Sequence, residues 1–193
     1  MPRAGLTTES VLEAAAAAAD TEGLPALTLA HLAAKLGVRP PSLYKHVDGL
    51  EAVHRGLALR GLREATARVQ RATVGKAGDD ALFAFARAYW QFARDRPGLY
   101  AASLRAAKPG ENELAAAGDA MIGVLLAVLA GYGVRGDDAL HAIRGLRAIV
   151  HGFVSLDAAG GFRLKLDLDE SLSRLLNAFA ADLRARGPKE KAA

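Results

Sequence analysis

Apolar residues return at three- and four-residue spacing through almost the whole chain, and glycine, proline and capping residues interrupt that rhythm about once per helix. The pattern predicts an all-α protein of about nine helices. The first spans Thr8 to Glu22, capped by Thr7 or Thr8 and ended by Gly23, with Val11, Leu12, Ala15 and Ala19 inward. Its alanine run, Ala14 to Ala19, is low in complexity but strongly helix-forming. Asp48-Gly49-Leu50-Glu51 has capping-box spacing, so a long fourth helix is expected from there to about Ala72, ahead of a GKAGDD linker. Later helices should span Asp80 to Asp95, Pro97 to Ala107, Glu111 to Gly131, Asp137 to Ala159 and Asp169 to Arg186. Leu164 to Leu168 alternates, but it is short and flanked by Gly161 and a capping Asp169, so it reads as a loop. The polar tail 187–193 is expected to fray.

The second and third helices carry the most information. Thr28 suits an N-cap, because its hydroxyl can accept from an unpaired backbone N–H, and Leu29, Leu32, Ala33 and Leu36 follow at helical spacing. Gly37 stands where the helix must stop in a left-handed conformation, and Val38 can fold back on it. Pro40 and Pro41 fit only the first turn of a helix, so the next should begin near Pro41, with Leu43 and Val47 inward. Small Ala33 lets the two helices cross closely, as a helix-turn-helix requires. Ser42, Tyr44, Lys45 and His46 share the outward face, with Arg39 at its entrance. Arg39 can bond guanine O6 and N7, Ser42, Lys45 and His46 can meet base edges or phosphates, and Pro41 offers a thymine methyl an apolar contact. The amides of Gly49 and Leu50 point from the positive end of the fourth helix toward a phosphate, although Asp48 and Glu51 place negative charge beside them.

Leu27 to Val53 resembles the N-terminal domain of the tetracycline-repressor (TetR) family of bacterial transcription regulators. The resemblance rests on the Ala-x-x-x-Gly-Val spacing at Ala33, Gly37 and Val38 and on the Ser-Leu-Tyr-x-His-Val run at Ser42 to Val47. Arg144 to Phe162 resembles the TetR-type C-terminal domain known by a Trp-His-Gly motif, here Val150-His151-Gly152. The resemblance implies that Tyr44 bonds a phosphate, and that Leu50 replaces a lysine found in many relatives. It implies a pseudo-palindromic double-stranded operator, a homodimer and a small-molecule effector as partners. The expected domains are 1–50 for DNA, with the motif at 28–47, and 51–186 for regulation and dimerisation.

With 193 residues, about half of them hydrophobic, the chain can bury a substantial core. No run of eighteen apolar residues occurs, and Glu9 and Glu13 interrupt any leader-like segment, so a cytoplasmic location without a membrane partner is expected. The absence of cysteine excludes disulfides and thiolate chemistry. The net charge of +4 does not reside in residues 1–50, where Arg3, Lys35, Arg39 and Lys45 face Glu9, Glu13, Asp20, Glu22 and Asp48. DNA affinity must therefore come from where charges sit. A nonspecific architectural binder would need a more basic N-terminal domain. An activator on the same fold is the other alternative to a repressor.

Phe83, Phe85, Tyr89, Trp90, Phe92 and Tyr100 concentrate aromatic surface in the fifth and sixth helices. Most must be core, but Tyr89, Trp90, Tyr100, Met121, Arg147 and His151 are candidates for lining the effector chamber that the resemblance implies. On the eighth helix Gly145, Ala148, Gly152, Ser155 and Ala159 form a stripe of small residues. Two glycines in a helix interior ask for a packing reason. This stripe either packs within the chain or forms a two-fold interface with Leu172, Leu175, Leu176, Phe179 and Leu183 of the ninth helix. Asp137, Asp138 and His141 have ligand-like spacing but are better read as helix-start capping, so no metal or other cofactor is expected. No nucleophile-base arrangement stands out, which argues against an enzyme.

Overall fold

A computed structural model of the protein describes residues 6–186; Arg3 and the tail expected at 187–193 lie outside the described residues. The described residues form nine α-helices and no strand. These are α1 (Thr8–Glu22), α2 (Leu29–Leu36), α3 (Pro40–Leu43), α4 (Gly49–Thr73), α5 (Gly78–Asp95), α6 (Pro97–Ser103), α7 (Asn112–Ala130), α8 (Gly136–Ala158) and α9 (Leu168–Arg186). A 3₁₀ turn at Leu24–Ala26, started by Pro25, joins α1 to α2 and was not foreseen. The sixth helix stops at Ser103, well short of Ala107. Leu164 and Leu166 lie in an exposed loop, as the short length of the alternating run and its flanking Gly161 and Asp169 predict.

The chain divides into two compact units, and neither is a single stretch. One holds the described residues up to Glu64 together with Asp95–Gly118; the other holds Ala65–Arg94 and the described residues from Asp119. α6 and the start of α4 thus share a unit with α1, α2 and α3.

In the first unit Thr7 caps α1 and exchanges hydrogen bonds with Ser10, a reciprocal capping box. Val11, Ala15, Ala16, Ala18 and Ala19 are buried along α1, which packs on α2 and α6. The small α1 residues allow α6 to come unusually near. A Cβ on Gly98 would enter the backbone of Ala19 and Asp20, and one on Gly61 would meet the Leu99 carbonyl oxygen at 2.5 Å. Arg96, the N-cap of α6, supplies no capping side chain. Asp20 does so from α1: its Oδ1 accepts from the Gly98 and Leu99 amides at 2.8 and 3.2 Å, while Arg96 Nε donates to its Oδ2 at 2.6 Å. Arg96 also reaches Glu64 at 2.8 Å.

The second unit is centred on fully buried Leu82, Phe92, Leu129, Leu146, Leu172, Leu176 and Leu183. Tyr132 donates to Asp79 Oδ1 at 2.8 Å, and Arg184 of α9 pairs with the same carboxylate. Tyr132 is pushed up first by burial and then by Asp79, whereas Tyr132's hydrogen bond is the chief cause that holds Asp79 below its ordinary value.

Candidate nucleic-acid interface

The helix-turn-helix forms where local sequence demands it. Thr28 Oγ1 accepts from the His31 amide at 3.1 Å, so the expected N-cap is present. Gly37 adopts φ 66° and ψ 31°, and the chain ends α2 with Val38 N–H on Ala33 O and Gly37 N–H on Ala34 O. This paired pattern is the Schellman motif, which satisfies carbonyls that a helix end would leave open. α3 starts at Pro40, one residue before the expected start, and continues after Leu43 as a turn through His46. Leu43 is fully buried and Val47 nearly so. Burying a leucine or valine is worth about 1.5–3 kcal/mol, enough to hold so short an element against the unit beneath. Thr8 of α1 adds a bond to the His46 carbonyl at 2.8 Å.

What remains outward is Arg39, Pro41, Tyr44 and Lys45, all exposed, with Ser42 and His46 half-buried. Tyr44 is 61% exposed, a large ring left in water on a surface that has an apolar core to offer. Lys35 and His31 both turn to Glu22, at 2.7 and 3.2 Å. Arg39 and Lys45 make no ion pair among the described residues. Within the helix-turn-helix, the two cations left uncommitted are thus the two on the outward turn.

Beside this surface Glu51 departs from expectation. Instead of closing a capping box with Asp48, its Oε1 accepts from Lys108 at 2.7 Å and Arg105 at 3.3 Å. Lys108 holds the Glu51 carboxyl below its usual range. A nearby lysine outcompetes an amide for a carboxylate because the charge-assisted bond is stronger. The negative charge next to Gly49 and Leu50 is therefore offset from the α6–α7 loop, a contact 57 residues away in sequence.

The six chamber candidates are divided between the two units. Tyr100 is buried in α6 and belongs to the first unit, because Asp20 and Gly98 hold α6 on α1. In the second unit Tyr89 stacks on Phe85 at 6.1 Å, and burial, partly offset by Arg147, raises its hydroxyl. Trp90 is committed: Nε1 donates to Asp157 at 2.8 Å, Phe153 meets its ring edge-on at 5.3 Å and Arg94 covers a face. Met121 is buried, His151 half-buried and Arg147 exposed. None of the six lines the groove of about 640 Å³ that the second unit opens between the end of α4, the start of α5 and α7. Sequence offered one signal for it, the small residues Ala120, Gly123, Ala127 and Gly131 at helical spacing on α7.

On α8, Ala148, Ser155 and Ala159 are exposed, and a Cβ at Gly152 would meet nothing within 4 Å. Of the two glycines, Gly145 has a packing partner, the Phe179 ring of α9 at 3.3 Å from its hypothetical Cβ. Packing inside the protomer thus leaves most of the stripe unexplained. Leu172, Leu176 and Leu183, expected at an interface, are instead buried in the protomer's own core, since they form the inward face of α9. Leu175 remains about half exposed, and Leu140 and Leu156 of α8 likewise.

A compact helix-turn-helix that leaves its two free cations on the outward turn defines a DNA-binding transcription regulator. Comparison with known proteins agrees: residues 82–179 match the family described as "Tetracyclin repressor-like, C-terminal domain". The chain is 38% identical over 183 residues to the uncharacterized HTH-type transcriptional regulator YobS of Bacillus subtilis, covering 94% of this chain and 95% of that one. A protein of unknown function from Rhodococcus sp. RHA1 shares the fold at a TM-score of 0.80 and 24% identity, over 95% of this chain and 98% of that one. A TetR variant from Acinetobacter baumannii AYE, solved in complex with minocycline, shares it at 0.71 and 21% identity, over 96% and 100%. The chain belongs to the TetR family of transcription regulators, and it is not an enzyme.

Proposed function

We propose that the protein is a cytoplasmic homodimeric repressor that occupies a pseudo-palindromic operator and leaves it when a small molecule binds the second unit. The observation that carries this reading is the pair Arg39 and Lys45, unpaired on an exposed turn whose backbone is fixed by Gly37, Leu43 and Val47. Arg39 reads guanine, and Pro41, Ser42 and His46 complete the base-facing surface. Tyr44, Lys45, Thr28 and the Gly49 amide position the phosphate backbone. Dimerisation uses the uncovered small stripe of α8, with Leu175 and Phe179 of α9. The complex of a fold neighbour with minocycline supports a ligand-responsive protein, and Tyr89, Met121, Arg147 and His151, with Trp90, are the sequence candidates that lie in the second unit.

Competition binding on single-base operator variants tests the DNA assignment. Arg39→Ala should cost about 1–3 kcal/mol and relax preference at one position in each half-site. Lys45→Ala should weaken all sequences evenly and flatten the salt dependence by about one counterion. An unchanged base preference in the Arg39 variant refutes the assignment. A specific-to-nonspecific ratio below about 10³ would favour the architectural alternative.

A further inference from the structure

We propose that the groove at the end of α4 is a binding site for an elongated aliphatic anion, a chain carboxylate being the simplest; this rests on the reading of the protein as a ligand-responsive regulator. Its volume of about 640 Å³ falls within the range of small-molecule sites. No aromatic residue lines it, and its walls are Ala81, Ala120, Val124, Ala127 and Val128. Such walls offer no stacking platform. They suit methylene groups, which need only smooth apolar contact. α7 is strongly apolar, with a mean hydropathy of 1.8, yet only 39% of it is buried. Val74, at the rim, is 78% exposed.

The polar ends specify the rest. Lys76 lines the mouth, where the Ala72 carbonyl accepts from its Nζ at 2.9 Å and steadies the ammonium while leaving further N–H groups to donate. The N-terminus of α5 begins beside it at Gly78, adding the positive end of a helix dipole. Asp79, the nearest carboxylate of that turn, is occupied by Tyr132 and Arg184, and Asp80 does not line the groove. Inward, Thr66, Gln70 and Thr73 follow one another at spacings of four and three, and so share one face of α4. Gln70 and Thr73 line the groove. Thr73 satisfies its hydroxyl on Val69 O, but Thr66, one turn deeper and only 7% exposed, has an Oγ1 without any hydrogen-bond partner. A buried hydroxyl left unmet is unfavourable. Thr66 itself does not line the groove, so the polar contacts offered to a ligand are those of Lys76, Gln70 and Thr73.

Decanoate, 1-decanol and decylamine, each below its aggregation concentration, distinguish the possibilities in calorimetric titrations and thermal shifts of the full chain. Decanoate should bind at least about tenfold more tightly than the alcohol and raise the melting temperature, and decylamine should bind least. Lys76→Gln should erase the preference for carboxylate over alcohol. Gly123→Leu should abolish binding by filling the groove, and because a Cβ at Gly123 meets nothing within 4 Å, the variant should fold. Absence of decanoate binding overturns the proposal, as does equal binding by parent, Lys76→Gln and Gly123→Leu. So does a change of sedimentation in Gly123→Leu with ligand affinity unmoved, which would make the face a contact between copies. Decanoate binding that follows the variants as expected but leaves operator affinity unchanged upholds the site and counts against the ligand-responsive reading. Operator release by some other molecule, with decanoate inert, does the reverse.

Discussion

Replacing Asp20 with alanine should unfasten α6 from the DNA-reading unit, and the structure sets the size of the effect. Two terms are lost. The first is the cap, in which Oδ1 accepts from the Gly98 and Leu99 amides at 2.8 and 3.2 Å; loss of a helix cap costs about 1 kcal/mol. The second is the bond from Arg96 at 2.6 Å, and hydrogen bonds to charged groups are worth about 1.5–3 kcal/mol. Arg96 does not become a bare buried charge, because Glu64 still accepts from it at 2.8 Å and its side chain remains 26% exposed. The total is then about 2.5–4 kcal/mol, toward the low side of what removing one partner of a fully buried ion pair costs. Urea denaturation followed by circular dichroism should show a lowered midpoint at unchanged slope. The melting temperature should fall by roughly 5–16 °C for a chain of this size. Asp20→Asn, which keeps a neutral acceptor for the α6 amides, should recover part of the loss. Stability of Asp20→Ala within about 0.5 kcal/mol of the parent would refute the cap and its ion pair together.

Two further expectations concern the second unit. Gly152→Leu should leave the protomer folded, since its Cβ meets nothing within 4 Å, but overpack a two-fold interface by about 1–3 kcal/mol at each copy and shift sedimentation toward monomer; an undisturbed dimer would place the interface away from the α8 stripe. Asp79, held below its ordinary value first by Tyr132 and then by Arg184, contributes stability at pH above the unfolded carboxyl value of about 4, and that contribution disappears as pH falls through the lower folded value. Asp79→Asn should therefore be less stable than the parent at pH 7 and lose its difference in acid, and parallel stability curves down to pH 2 would contradict this.

How much was readable beforehand depended on the sequence distance of the interaction. Thr28, Gly37 and the Pro40–Pro41 pair act within a turn or two, and each did what local chemistry requires. The partners of Asp20 and Glu51 lie 78 and 57 residues away. Nothing at either carboxylate marks its choice, so Glu51 resembled a capping residue until Lys108 stood beside it. The ninth helix shows the same limit in another form. Its leucines were legible as an apolar face, but periodicity cannot tell a face turned to one's own core from a face turned to a partner, and Leu172, Leu176 and Leu183 took the former.

The turn proposed to read DNA owes its shape to residues outside the proposed base-facing set. Gly37 supplies the reversal, Pro40 restricts φ without needing an amide partner, and Leu43 and Val47 anchor from below. Shape and message are thereby carried by separate positions. Descendants of this chain can exchange Arg39, Ser42, Lys45 or His46 without disturbing the scaffold that presents them, so a change of target sequence needs few mutations and little loss of stability. A regulator built this way is easy to retarget after gene duplication.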